Sequence, residues 1–278
     1  MGPISRVVLL GGGRLLGNLA LWCLKNGLNI KVITSDRQVK HEVDQLLTLG
    51  QFLSDNNIDH LVCNKLDSKE VEEFLSDKAR SFYLSIGAPW IFNEETIQTL
   101  FDGQLLNLHG TRLPQNKGGG GFSWQIMTAN RFGSTAIHLV DAGVDTGDIV
   151  DAEEFLYPIT CRKPIDFEAY YISKCFDRIS LLLTDIKAKE RSFMRVPQNQ
   201  SFSTYNPRLS SEINGWLDWS FNAWEIERLI CAFDDPYEGV KTLVDSKKVF
   251  LKSASINLQD QVFHPYQAGI IYRKTKDW

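Results

Sequence analysis

The chain has 278 residues, of which 43% are hydrophobic and 23% charged, with a formal charge of -4. That length suits one large domain with a small appendage, and the composition is ordinary for a globular protein, so disordered and fibrous classes are excluded. The acidic balance gives no reason to expect nucleic acid as a partner. Five cysteines, Cys23, Cys63, Cys161, Cys175 and Cys231, are odd in number and scattered, which argues against a disulfide framework and against a zinc cluster. No charged region leads into an apolar signal core and no run approaches the roughly 18 apolar residues of a membrane span, so a soluble cytoplasmic protein that needs neither membrane nor metal is expected.

In chain order, residues 6–10 (RVVLL) predict a buried strand, Gly11 to Gly13 a tight turn, residues 14–26 a helix and 30–34 a second strand. This βαβ opening, with Gly11, Gly13, Gly17 and Asp36, has the outline of a dinucleotide fingerprint, but the third glycine falls one residue late for the usual NAD form. It therefore supports a rival reading, an NAD(P)-dependent oxidoreductase, beside a purely structural turn. Residues 39–56 predict a helix, 60–63 a strand, 68–76 a helix capped by Ser68, and 81–86 a strand followed by the apolar, proline-stiffened loop Ala88, Pro89, Trp90, Ile91. Residues 94–101 predict a helix and 104–108 a strand. The alternation implies an α/β fold with a Rossmann-like, mostly parallel sheet and helices on both faces.

At the end of that strand stands Asn107-x-His109, and residues two apart on a strand share a face, so an amide and an imidazole sit together where open α/β sheets bind ligands. Pro114 and the run from Lys117 to Gly121 then forbid regular structure and send a loop over the site. Residues 122–130 predict a helix and 134–140 a strand, which Asp141-Ala142-Gly143-Val144-Asp145-Thr146-Gly147-Asp148 breaks with two glycines and three acids. A carboxylate from this segment beside His109 would raise its pKa and orient it as a general acid/base, while Asn107 would donate to an oxyanion. Arg112 and Lys117 are candidates for binding an anionic substrate. The chain continues with a strand over residues 151–157, a long helix over 164–189 and a helix over 222–231. The Pro197-Gln-Asn-Gln run suggests a boundary, giving a catalytic domain 1–192 and a small α+β module 193–278.

Asn107-Leu-His109-Gly-Thr-Arg-Leu-Pro114, the glycine loop and Asp141-x-Gly143-x-Asp145-Thr-Gly147-Asp148 resemble the 10-formyltetrahydrofolate-dependent formyltransferases. Tyr205, Pro207, Asp218-Trp219-Ser220, Ala232-Phe233 and Gly239 likewise resemble the C-terminal module of that family. The resemblance implies a catalytic trio of Asn107, His109 and Asp145. It also implies a folate site lined by Ala88 to Ile91 and by Asp141, Ala142, Gly143, Val144 and Asp145, with 10-formyltetrahydrofolate as donor cosubstrate and no metal. Asn-Leu-His-Gly and the region around Trp216-x-Asp218-Trp219 look like the sugar N-formyltransferase branch, which implies a nucleotide-linked amino sugar as acceptor, with dTDP-amino-dideoxyhexose favoured. A role in surface polysaccharide such as O-antigen and a homodimeric assembly follow from the same resemblance. The alternative within the family is methionyl-tRNA formyltransferase, for which residues 191–278 offer little basic surface, with 11 Lys+Arg against 10 Asp+Glu. A departure stands at Gly119, Gly120 and Gly121, where many relatives carry an arginine and then a small residue with proline. A catalytically dead sugar- or folate-binding module is the remaining rival.

Overall fold

The computed structural model describes residues 3–44, 46–76, 80–188, 193–258 and 262–273. They group into two compact units that interleave along the chain: residues 1–118, 132–156 and 169–206 in the first, and 119–131, 157–168 and 207–278 in the second. The division at 192/193 runs along the chain instead, and residue 192, like the expected helix end at Lys189, lies outside the described residues. The helices used below are α1 (Arg14–Lys25), α2 (Leu49–Asp55), α3 (Lys69–Phe74), α4 (Glu94–Phe101), α5 (Gly121–Met127), α6 (Pro164–Ala188) and α7 (Ala223–Ala232).

In the first unit, strands β1 (Arg6–Gly11), β2 (Asn29–Thr34), β3 (Asp59–Val62), β4 (Ser81–Ile86), β5 (Leu105–His109), β6 (Ala136–Leu139) and β7 (Ile149–Asp151) form one sheet in the order β7-β6-β5-β4-β1-β2-β3. The strands from β1 to β5 pair in parallel, and β6 and β7 add antiparallel at one end. β4 is buried at every residue, as a parallel strand covered on both faces must be. Strand periodicity then splits the core in two: Val7 and Leu9 join Leu16 and Leu19 of α1, Leu53 of α2 and Ile179 and Leu183 of α6, whereas Val8 and Leu10 join Val71 of α3 and Phe101 of α4. The sheet is a mixed α/β architecture, mostly parallel, with helices on both faces.

Three sequence expectations are corrected here. Residues 39–56 do not form one helix: Glu42–Asp44 and Leu47–Thr48 pair as a short hairpin, with Leu46 at φ 75°, and only α2 is helical. The local chemistry explains the start of α2, because the Thr48 hydroxyl accepts from the Gln51 N–H while the Gln51 side chain accepts from the Thr48 N–H, a capping box that begins the helix there. Residues 134–140 do not form one strand either. Phe132–Ser134 pairs with Glu154–Leu156 and β6 pairs with β5, the chain changing partner at Thr135, whose hydroxyl accepts from the Glu153 N–H. The expected strand over 151–157 divides for the same reason, into β7 and Glu154–Leu156.

The second unit is built from α5, α7 and the hairpin Val240–Val244/Lys247–Leu251. Asn222 caps α7, accepting from the Trp224 and Glu225 N–H groups while the Glu225 carboxylate accepts from the Asn222 N–H. The Ser123 hydroxyl of α5 donates to the Ala232 carbonyl at the end of α7 at 2.7 Å, and Tyr157 stacks on Phe167 with ring centroids 4.2 Å apart. Among the described residues no helix is long and apolar enough to cross a membrane, and no group of three His, Cys, Asp or Glu is placed to hold a metal ion.

Candidate active site

β5 places Asn107 and His109 at its carboxyl end, and its two neighbours run in opposite directions beside it. Ser85 of β4 lies opposite Asn107 in parallel register, and His138 of β6 lies opposite Asn107 in antiparallel register. Cross-strand neighbours in such a pair come within side-chain reach. His138 Nε2 is accordingly 3.1 Å from Asn107 Nδ2. His138 Nδ1 donates to the Leu139 carbonyl at 2.7 Å, which holds the ring between β5 and the loop after β6. An amide nitrogen has two hydrogens, and the second one on Asn107 has no partner among the described residues.

Asp145 enters from the loop after β6, and the motif around it is explained by that loop. The Asp141 carboxylate accepts from the Gly143 N–H at 3.1 Å and from the Thr146 hydroxyl at 2.6 Å, closing the turn on itself. A Cβ on Gly147 would stand 1.9 Å from the Leu139 carbonyl oxygen, so only glycine lets the chain pass this close to β6. Asp145 sits at φ 54°, and the Gln198 side-chain amide holds the returning strand by donating to the Asp145 and Gly147 carbonyls at 2.9 and 2.7 Å. Gly118, at φ 92°, donates its N–H to Asp145 Oδ2 at 2.9 Å. The expectation that the glycine run carries no regular structure is corrected at its start: Lys117–Gly118 pairs in parallel with Tyr205–Asn206, and a Cβ on Gly118 would meet the Asn206 carbonyl oxygen at 2.3 Å.

The result is one carboxylate oxygen facing two imidazoles. Asp145 Oδ1 lies 3.5 Å from His109 Nδ1 and 3.5 Å from His138 Nε2. His109 Nε2 is 2.8 Å from the Asn116 carbonyl, a group that only accepts, so Nε2 holds the ring hydrogen and Nδ1 is the nitrogen that gains or loses a proton toward Asp145. Thr111 donates to the same carbonyl at 2.7 Å.

Asp145 does raise the His109 pKa as expected, but the expectation of a net rise is corrected. Burial of the ring pushes it below its ordinary value, with His138 adding to that, and Asp145 and the Asn116 carbonyl oppose without reversing it. Burial also pushes the Asp145 carboxyl up, but the contact with His138, the charge of His109 and the Gly118 N–H outweigh it and bring the group down to about 2. At neutral pH the site therefore holds a charged Asp145 and a neutral His109, which is the state of a general base.

The remaining expected residues are placed as follows. The loop after β4 holds Ala88 half-buried, Pro89 and Ile91 exposed, Ile91 at 95%, and Trp90 pinned by its indole N–H on the Asn64 carbonyl at 3.2 Å. Ala142 and Val144 are exposed on the loop between Asp141 and Asp145. Arg112 is not aimed at the trio but is paired with Glu154 at 2.8 Å, over the Phe132 ring. Lys117 is buried, and its ammonium donates to Gln200 Oε1 at 2.7 Å. His138, Thr111, Asn116 and Gln198 were not expected in the site. Of these only His138 had a readable signal, since laying 136–139 antiparallel against 105–109 places it opposite Asn107. At the first glycine turn, a Cβ on Gly11 would meet the Ile86 carbonyl oxygen at 2.1 Å and one on Gly17 would touch Phe52, so packing accounts for both glycines.

Comparison with known proteins finds likenesses to formyltransferases. Residues 210–277 match the family model for the formyl transferase C-terminal domain. The N-formyltransferase of Helicobacter canadensis, solved with folinic acid and dTDP-3-aminofucose, superposes with a TM-score of 0.66 at 20% identity, covering 83% of this chain and 80% of that one. A sugar N-formyltransferase from Shewanella sp. superposes with a TM-score of 0.66 at 15% identity over 92% of this chain and 99% of that one. This is the formyltransferase fold. Methionyl-tRNA formyltransferase of Acetivibrio thermocellus is 25% identical over 229 residues, 82% of this chain and 70% of the relative, and the chain spans about half the length of several other relatives of that name. The formyltransferase likenesses agree on a formyl-transferring enzyme and diverge over the acceptor.

Proposed function

We propose that the protein moves the formyl group of 10-formyltetrahydrofolate onto the amine of a nucleotide-linked amino sugar, with a dTDP-amino-dideoxyhexose favoured. The observation that carries this reading is the meeting of Asn107, His109 and Asp145 at the carboxyl end of β5. The residues fit a folate-borne formyl donor: Asn107 has an amide hydrogen to offer, and the Asp141 to Asp145 loop brings the Asp145 carboxylate to His109. The donor supplies an acyl carbon on N10. The sugar amine bonds to that carbon, Asn107 donates to the oxyanion, and the neutral His109 takes the amine proton at Nδ1 while Asp145 stabilises the imidazolium. The C–N10 bond then breaks and the proton is returned to the leaving nitrogen. A homodimer, a cytoplasmic setting and a place in surface-polysaccharide synthesis belong to the same proposal, as do acceptor contacts from Arg112 and Lys117 once their present partners are exchanged.

Methionyl-tRNA is the second acceptor, favoured by the names of the sequence relatives. The near-neutral balance of residues 191–278 weighs against it. The test is turnover of 10-formyltetrahydrofolate with dTDP-, UDP- and GDP-linked amino sugars and with methionyl-tRNA, scored by product mass. Formylation of a sugar, lost in Asn107→Ala and His109→Ala, is the expected result. Formylation of the tRNA alone overturns the acceptor, and inertness toward all of them with stabilisation by NAD(P) overturns the reaction.

A further inference from the structure

The second unit holds a cavity of about 350 Å³ whose lining includes none of Asn107, His109 and Asp145. Its walls come from the end of α5 and the following turn, from the segment around Cys161, and from α7. On α7 the lining residues are Trp224, Glu227, Arg228 and Cys231, spaced at i, i+3, i+4 and i+7, so one helical face is turned into the cavity. That face is not sealed: Trp224 is 54% exposed and Ile159 across from it 85% exposed. An unfilled stripe carrying an accessible indole is what a ligand pocket of this size presents, mostly apolar with a few convergent polar groups.

The charges in the cavity are not balanced. Glu227 is already neutralised by Arg162, with which it makes a direct ion pair, and Arg162 also donates to the Ala254 carbonyl at 2.7 Å. Arg131 and Arg228 have no carboxylate partner among the described residues. Each is instead anchored through its Nε on a backbone carbonyl, Arg131 on Tyr157 at 3.1 Å and Arg228 on Trp224 at 3.1 Å. Anchoring at Nε fixes both guanidinium planes and leaves both Nη groups of Arg228 to donate. Two oriented guanidiniums without counter-charge, beside an exposed indole face, match a planar ring joined to phosphates, since guanidinium forks bind phosphate oxygens bidentately and the indole stacks on a base.

We infer that this cavity binds a nucleoside diphosphate, with the base on Trp224 and the phosphates on Arg228 and Arg131. The inference does not depend on which acceptor is formylated. The test is calorimetric titration of the full chain with thymidine diphosphate, repeated on Trp224→Ala and Arg228→Ala, with inorganic pyrophosphate as a ring-free probe and melting curves to confirm folding. Both substitutions fall on accessible side chains of a capped helix. The expected result is a binding event that weakens at least tenfold in both variants while formylation by them is unchanged and pyrophosphate binds more weakly than the nucleotide. Nucleotide binding indifferent to both substitutions, or absent, overturns the site, and pyrophosphate binding as tightly as the nucleotide overturns the ligand class.

Discussion

His109 and Asp145 both titrate below their ordinary values. With its pKa pushed below the ordinary histidine value, His109 is neutral throughout the neutral range, so kcat is expected to be flat there and to fall only when acid protonates the ring. Asp145 is one of the influences that raise this pKa, so Asp145→Asn should lower kcat and also move the acid limb of the pH profile to lower pH, read by initial rates across the acid range. A limb that stays in place would show that Asp145 does not act on His109. Asn107→Ala removes the oxyanion donor and is expected to cost on the order of 100- to 1000-fold in kcat, with KM for the donor little changed. The same carboxylate is linked to stability. Its pKa falls from 3.8 to about 2 on folding, so it contributes roughly 2 kcal/mol that is present above the unfolded value and is lost as pH falls through the folded one. The lowered pKa of His109 acts with the same sign, because the unfolded chain takes up that proton first. Urea unfolding at decreasing pH should show the loss, and Asp145→Asn should remove the Asp145 share.

Short elements carry more of the site than their length suggests. The two-residue ladder of Lys117–Gly118 against Tyr205–Asn206 aims the Gly118 N–H at Asp145. Gly118→Ala places a Cβ against the Asn206 carbonyl in a left-handed backbone, and is expected to cost about 1–3 kcal/mol in unfolding free energy and to reduce turnover as well. Asn222→Ala, which removes the α7 cap, is expected to cost about 1 kcal/mol with turnover unchanged, so the pair separates a strand that serves turnover from a cap that does not. At this scale the strands β1, β2 and β4 and the helices α1, α4 and α7 were legible from apolar runs, periodicity and caps. The hairpin within 39–56 was not, because its register depends on backbone conformation at Leu46, which hydrophobic pattern does not encode. Nor was the change of partner at Thr135, since one continuous β-forming run serves two sheets equally well.

For the whole molecule, electrostatics separates the two acceptors. A protein that formylates a nucleotide-linked sugar meets a few phosphates, whereas one that formylates tRNA neutralises many and loses affinity steeply with salt. The Michaelis constant for the acceptor is therefore expected to change only slightly between low and moderate salt, and a steep log-log dependence would favour tRNA. The sequence alone determined the α/β class and put Asn107 and His109 on one strand face, because a strand's period of two is a local property that leaves a pattern in the residues, whereas the choice of Asp145 among the three acids came from the family resemblance. Only the tertiary structure decided that His138 shares Asp145 with His109, that Lys117 is buried against Gln200 and Arg112 is paired with Glu154, and that burial overrides the carboxylate in setting the state of His109. Those outcomes depend on cross-strand register and on the amount of water excluded around a group, quantities that arise only when segments distant along the chain are packed together.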